Sequence, residues 1–197
     1  PTQEEVDAFL PPPSVNWHAA LDPSRPMAID PLTGGAGGPG PSLFVRYRKG
    51  QCAGMQNALA AIEAAHEDWA RVVGRRHAPL VESYRMDDAE VALVTLGSMT
   101  GAAKDAVDEA RDRGERVGLV KVKTYRPFPV QAIATALSGL KAVGVVDRSV
   151  SFGWNSGPLY QDVIGALQFA SKRPAAMSFI GGLAGADITT DHFGRVI

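Results

Sequence analysis

Few residues in this chain carry the types and spacing that chemistry demands, and most of them stand where an apolar run gives way to a turn. Arg126 precedes Pro127, which holds the preceding backbone extended, and its guanidinium suits bidentate capture of a carboxylate or phosphate. Asp147 and Arg148 close another apolar run and share the ambiguity between a ligand contact and an ion pair. Charges at strand ends commonly pair, so the expectation for Arg126 is a salt bridge to Asp147 or to a partner subunit, ahead of substrate binding. Gly97 and Ser98 lead into a helix whose first N–H groups could meet an anion, but a tight strand-to-helix turn explains the glycine as well and is preferred. Phe128, Gly153 and Gly157 join these as candidates for the same strand-end edge or for an interface.

Other tempting residues carry less. Gly35, Gly37 and Gly40 match G-x-G-x-x-G by letter, yet no strand precedes them, and Pro39 and Pro41 remove N–H donors that a phosphate cradle would need. The single cysteine, Cys52, allows no internal disulfide and cannot supply the roughly four thiolates of an iron–sulfur cluster. His66 borders an apolar helical stripe without ligand partners nearby in sequence and reads as a helix-border histidine. No catalytic, cofactor-binding or metal-ligating residue is therefore assigned to this chain.

The elements that must position these residues follow from periodicity. Thr2 and Glu5 have the spacing of a capping box, and Val6, Phe9 and Leu10 give a short helix its apolar face before Pro11, Pro12 and Pro13 stop it. Proline- and glycine-rich sequence to Ser42 reads as an extended connector. From Gly50 to Val73, Met55, Leu59, Ile62 and Trp69 recur at helical spacing, with Gly74 as the C-cap. Strands are then expected at Glu90–Leu96, Val117–Thr124, Ala142–Val146 and Ala176–Ile180, and Leu80–Tyr84 adds an edge strand. Between them lie helices carrying Ala103, Val107 and Ala110, then Ile133 and Leu137, then Val163, Ile164 and Leu167. Consecutive crossovers of this length give a parallel sheet covered on both faces, with its carboxyl ends on one edge.

Composition bounds the function. With 197 residues, 45% hydrophobic and 21% charged, the chain has the balance of a folded globular protein. A net charge of −1 without a Lys/Arg cluster offers no footprint for nucleic acid. No apolar stretch approaches the roughly 20 residues needed to cross a bilayer, and a cytoplasmic location is expected. The chain opens at Pro1 without an initiator Met, so a longer polypeptide is expected.

Taken in order, Leu96-Gly97-Ser98, Gly118-Leu-Val-Lys-Val-Lys-Thr-Tyr-Arg-Pro-Phe-Pro129, Val146-Asp147-Arg148-Ser-Val-Ser-Phe-Gly153, Gly157-Pro158-Leu159-Tyr160 and Gly182-Leu-Ala-Gly-Ala-Asp187 resemble the alpha subunit of pyruvate:ferredoxin oxidoreductases. Phe9-Leu10-Pro11-Pro12, Leu21-Asp22-Pro23 and the Gln51–Glu63 helix extend the likeness along nearly the whole chain. The resemblance implies a domain similar to the carboxyl-terminal domain of transketolase: a three-layer α/β/α sandwich on a mixed, mostly parallel sheet with one antiparallel edge strand. Residues 1–48 would be the connector with its short helix, and residues 49–197 the domain with its long leading helix. Where the family reads Gly-Leu-Gly-Gly-Arg-Asp, this chain has Ala184 and Ala186 in place of the second glycine and the arginine, which puts any anion contact there in doubt.

The resemblance further implies an enzyme that oxidatively decarboxylates pyruvate or another 2-oxoacid with coenzyme A and reduces ferredoxin. Thiamine diphosphate, magnesium and iron–sulfur clusters would sit on other domains and subunits, and this domain would serve as scaffold and interface. The other class left open is an autonomous small-ligand or nucleotide-binding module working at the strand-end edge.

Overall fold

The protein is described by a computed structural model that covers residues 1–10 and 43–197. Most of the expected connector, with Gly35, Gly37 and Gly40, lies outside the described residues. Contacts divide the chain into two compact units, Pro1–His77 and Ala78–Ile197. Among the described residues no helix is long and apolar enough to cross a membrane.

The first unit contains α1 (Gln3–Phe9) and α2 (Leu43–Val73). The Thr2 hydroxyl accepts the Glu5 N–H at 3.2 Å, and the Thr2 N–H donates to the Glu5 carboxylate at 2.7 Å, completing the expected capping box. Helix α2 starts at Leu43 rather than Gly50. No proline interrupts residues 43–49, and a lone glycine costs a helix only about 1 kcal/mol, so the helix runs through Gly50. It ends at Gly74, which takes φ +70° and donates its N–H to the Ala70 carbonyl at 3.0 Å. Phe9 meets Trp69 edge-on with ring centroids 5.1 Å apart. His66 Nδ1 lies 2.9 Å from the Ile62 carbonyl, a local helix contact. By contacts α2 groups with α1, whereas the sequence reading attached it to the α/β part.

The second unit runs β1 (Val81–Tyr84), β2 (Val91–Leu96), α3 (Thr100–Asp112), β3 (Val117–Val122), α4 (Val130–Leu137), β4 (Ala142–Asp147), α5 (Pro158–Leu167), β5 (Ala175–Ile180) and α6 (Thr190–Gly194). The strands form one sheet in the order β1-β3-β2-β4-β5. Edge strand β1 is antiparallel to β3, and the other three pairings are parallel. The expected architecture of a mostly parallel mixed sheet with one antiparallel edge is what the structure shows.

Helices α4 and α5 cover one face, where Val94, Val122, Ile133, Leu137, Leu159 and Val163 pack. Helices α3 and α6 cover the other, with Leu93, Val107, Leu119 and Phe193. Strands β2 and β3 are buried on both faces, which is why they read as unbroken apolar runs. Each fully buried Leu, Ile or Phe contributes about 1.5–3 kcal/mol of apolar transfer, so the two side-chain layers hold the carboxyl edge of the sheet in fixed register.

Candidate functional site at the strand-end edge

Because β2 to β5 are parallel, their carboxyl ends share one edge. Strands β2 and β4 are neighbours, but the chain leaves β2 toward α3 on one face and β4 toward α5 on the other. This is the switch point at which open α/β sheets form a crevice. Here it has a volume of about 180 Å³ and is lined by Leu96, Met99, Tyr125, Asp147, Arg148 and Leu159, among others.

Asp147, the last residue of β4, is only 5% exposed. Its carboxylate accepts the N–H groups of Leu159 at 2.9 Å and Tyr160 at 3.1 Å, donors that a helix start leaves without intrahelical partners. The N-cap position of α5 is Gly157, which has no side chain to offer them, and Pro158 at the first turn has no N–H. Asp147 thus caps α5 from the neighbouring strand. Gly157 has ordinary extended backbone, φ −85° and ψ 158°, so conformation does not demand glycine there. Space does: a Cβ at 157 would overlap the Asp147 carboxyl group. Burial pushes the Asp147 carboxyl above the usual carboxylate range, the two N–H bonds pull it back, and nearby Asp162 adds to the upward push.

Arg126 does not pair with Asp147. Its guanidinium reaches Asp162 on α5 at 2.9 Å, lies 4.2 Å over the Tyr125 ring and 5.9 Å from that of Phe128, and donates to the Tyr125 carbonyl at 2.8 Å. Asp147 is buried with both oxygens committed to α5, whereas Asp162 lies further along the same helix and remains within reach. Burial works to lower the Arg126 pKa, and the hydrogen bond and charge of Asp162 outweigh it and raise it. Burial and Asp162 also raise the Tyr125 phenol. Phe128 packs edge-on to Tyr125 at 6.0 Å, and the Arg126–Pro127 peptide bond is cis.

Arg148 turns toward the loop after β5, where its Nε and a terminal nitrogen each lie 3.3 Å from the carbonyls of Gly182 and Ala186. In that loop Ala184 takes φ +53°, a left-handed conformation. Gly97 has φ +80° and makes the tight turn expected after β2; with Ser98 it is exposed. Behind it the Thr100 hydroxyl donates to the Gly97 carbonyl at 2.8 Å and lies 3.0 Å from the buried Thr95 hydroxyl. Sequence reasoning passed over this pair, for which a threonine inside an apolar strand and another in the first helical turn were the available signal.

Gly153 sits in a hairpin between β4 and α5, closed by the Ser151–Ser156 bridge. Its tip exposes Phe152 and Trp154, 93% and 74% accessible, neither of which was singled out from sequence. A second groove, about 440 Å³, runs beside β5 past Phe179, Gly182, Asp187, Ile188 and His192. Among the described residues no group of three or more His, Cys, Asp or Glu is placed to hold a metal. Cys52 is exposed. Of the eight candidates, Asp147 and Arg148 line the crevice, Gly153 lies out in the hairpin, and Arg126, Asp147 and Arg148 are engaged in holding turns and a helix start.

Comparison with known proteins gives this edge its context. The family model described as pyruvate:ferredoxin oxidoreductase core domain II matches residues 89–193. The chain is 62% identical over its full length to the NADH-dependent phenylglyoxylate dehydrogenase subunit alpha of Aromatoleum evansii, covering 47% of that protein. It is 35% identical over 99% of its length to the pyruvate synthase subunit PorA of Methanosarcina barkeri, covering 46% of it. A solved 2-oxoglutarate:ferredoxin oxidoreductase from Magnetococcus marinus superposes with a TM-score of 0.45 at 20% identity, over 71% of this chain and 22% of that one. The chain spans about half the length of the curated relatives it matches. With a domain-II match over residues 89–193, more than half of its length, the chain belongs to the pyruvate:ferredoxin oxidoreductase family.

Proposed function

We propose that this chain is the carboxyl-terminal domain of the alpha subunit of a thiamine-diphosphate-dependent 2-oxoacid oxidoreductase, in which it serves as scaffold and interface. The observation that carries the reading is the engagement of the strand-end charges: Asp147 caps α5, Arg126 is held by Asp162 and Arg148 by loop carbonyls.

The enzyme would convert a 2-oxoacid and coenzyme A to an acyl-CoA, carbon dioxide, a proton and two electrons, which pass to ferredoxin through iron–sulfur centres on partner chains. One cysteine cannot hold such a cluster, so the clusters belong to other domains or chains in this reading, where the sequence resemblance also puts thiamine diphosphate and magnesium; a cytoplasmic enzyme is part of the same proposal. The sequence resemblance pointed first to pyruvate. Identity of 62% to a phenylglyoxylate dehydrogenase subunit against 35% to a pyruvate synthase subunit supports an aryl 2-oxoacid instead. The test is the complex purified with its co-expressed subunits, assayed with coenzyme A and a viologen dye as acceptor. A kcat/KM for phenylglyoxylate at least tenfold above that for pyruvate, about 1.4 kcal/mol of discrimination, is expected. Preference for pyruvate would reverse the substrate assignment, and absence of any 2-oxoacid oxidation would overturn the whole reading.

A further inference from the structure

The hairpin between β4 and α5 has no part in the fold's cores, yet it is built with care. The Ser151 N–H donates to the Ser156 carbonyl at 2.8 Å, and the Trp154 N–H returns to the Ser151 carbonyl at 3.1 Å. Gly153 and Asn155 take φ +85° and +50°, left-handed conformations that these two residue types tolerate best. At its base the Gly157 N–H donates to the Ser178 hydroxyl at 3.2 Å, and the Asp147 cap fixes the helix that follows. This ordered backbone presents Phe152 and Trp154 to solvent at 93% and 74% accessibility.

We infer that this hairpin is a docking knob, and that Phe152 and Trp154 insert into an apolar recess on the part of the same alpha subunit that lies outside this chain. The inference rests on the functional reading above, which makes the chain one domain of a longer subunit.

Three observations support that occupant. Residues 149–158, Ser-Val-Ser-Phe-Gly-Trp-Asn-Ser-Gly-Pro, carry no charge in a chain that is 21% charged, so the knob has nothing with which to grip nucleic acid or an acidic lipid surface. It suits instead an apolar hole rimmed by groups that can bond Ser149, Ser151 and Asn155. Aromatic anchors centred in a polar rim are the residues that dominate interface energies, and because the tip is already ordered, docking it forfeits little conformational entropy. Finally, the matched relatives are roughly twice as long as this chain, so the subunit has a large covalently attached surface to meet the knob.

Hydroxyl-radical footprinting of the assembled enzyme, and of the alpha subunit stripped of its partners, tests the assignment. Oxidation of Trp154 at least tenfold slower than in a free Trp-containing peptide is expected in both preparations. Fast oxidation in the assembled enzyme would overturn the proposal. Protection lost on removing the partners would also overturn it, by giving the recess to another subunit. The double variant Phe152→Ser/Trp154→Ser should keep the far-ultraviolet circular dichroism of the subunit and raise its rate of limited proteolysis at least tenfold; an unchanged rate counts against docking. Should the variant fail to fold, the footprint of the unaltered enzyme still decides. Co-sedimentation of the unaltered enzyme with phosphatidylcholine vesicles, abolished by the serine pair, would replace the protein recess with a bilayer. Oxidation of 2-oxoacids by the same preparation is scored separately, so failure of the knob leaves the functional reading standing.

Discussion

Replacing Gly157 with alanine separates two reasons for a glycine that predict opposite signs. At φ −85° and ψ 158° the backbone accepts any residue. Were glycine there for flexibility alone, alanine would stabilise the protein by about 0.4–1 kcal/mol through the unfolded chain. In the structure, however, the new Cβ would overlap the Asp147 carboxyl, and the strand end and the helix start cannot both stay in place. Moving the carboxylate forfeits its bonds at 2.9 and 3.1 Å to Leu159 and Tyr160, leaving the helix start uncapped. Loss of a cap costs about 0.5–2 kcal/mol, and overpacking adds about 1–3 kcal/mol. Gly157→Ala should therefore destabilise by about 2–4 kcal/mol, a drop in Tm on the order of 10 °C for a unit of this size. Thermal and urea melts of the full subunit measure this. A neutral or stabilising result would refute both the cap and the close approach that explains the glycine.

Ala184→Gly relieves a left-handed alanine at φ +53° and should raise stability by about 0.5–1 kcal/mol in the same melts. Arg126→Ala breaks an ion pair whose side chains are 51% and 26% exposed; with screening it should cost about 0.5–1.5 kcal/mol, the Tyr125 stacking included, and leave the KM for the 2-oxoacid unchanged. The Glu82 carboxyl lies below its usual range first because Lys104 donates a hydrogen bond to it, against burial that raises it. That pair stabilises the fold above the ordinary Glu pKa of about 4.3 and is lost as pH falls through the lower folded value. Lys104→Gln should therefore flatten the acid limb of stability against pH below about pH 4.5.

The sheet was legible because β2 to β4 are buried on both faces and their helices bury one stripe each, so local periodicity reports tertiary environment directly. The start of α2 was not, because a single glycine was given the weight of a boundary that its small cost does not justify. At the strand-end edge the sequence located the residues but misjudged their partners. Arg126, in the loop before α4, and Asp162 on α5 are brought together only by the packing of α4 against α5, which no spacing rule records. One clue was on the page: α5 begins Gly157-Pro158 without a Ser, Thr, Asp or Asn to cap it, and a helix start lacking a local cap must find its acceptor elsewhere. Ser151 and Ser156 bracketing Phe-Gly-Trp-Asn likewise had hairpin chemistry, with Gly and Asn at the turn, but exposure of its aromatics is a property of the folded surface alone.

The central claim is that the strand-end edge holds structure and performs no chemistry. It is tested most directly by the single-turnover rate of viologen reduction per assembled complex, with saturating 2-oxoacid and coenzyme A, in the Arg126→Ala and Arg148→Ala enzymes. The account predicts rates within about twofold of the unaltered enzyme. A fall of tenfold or more in complexes that sediment intact, equivalent to about 1.4 kcal/mol of lost transition-state stabilisation, would contradict it.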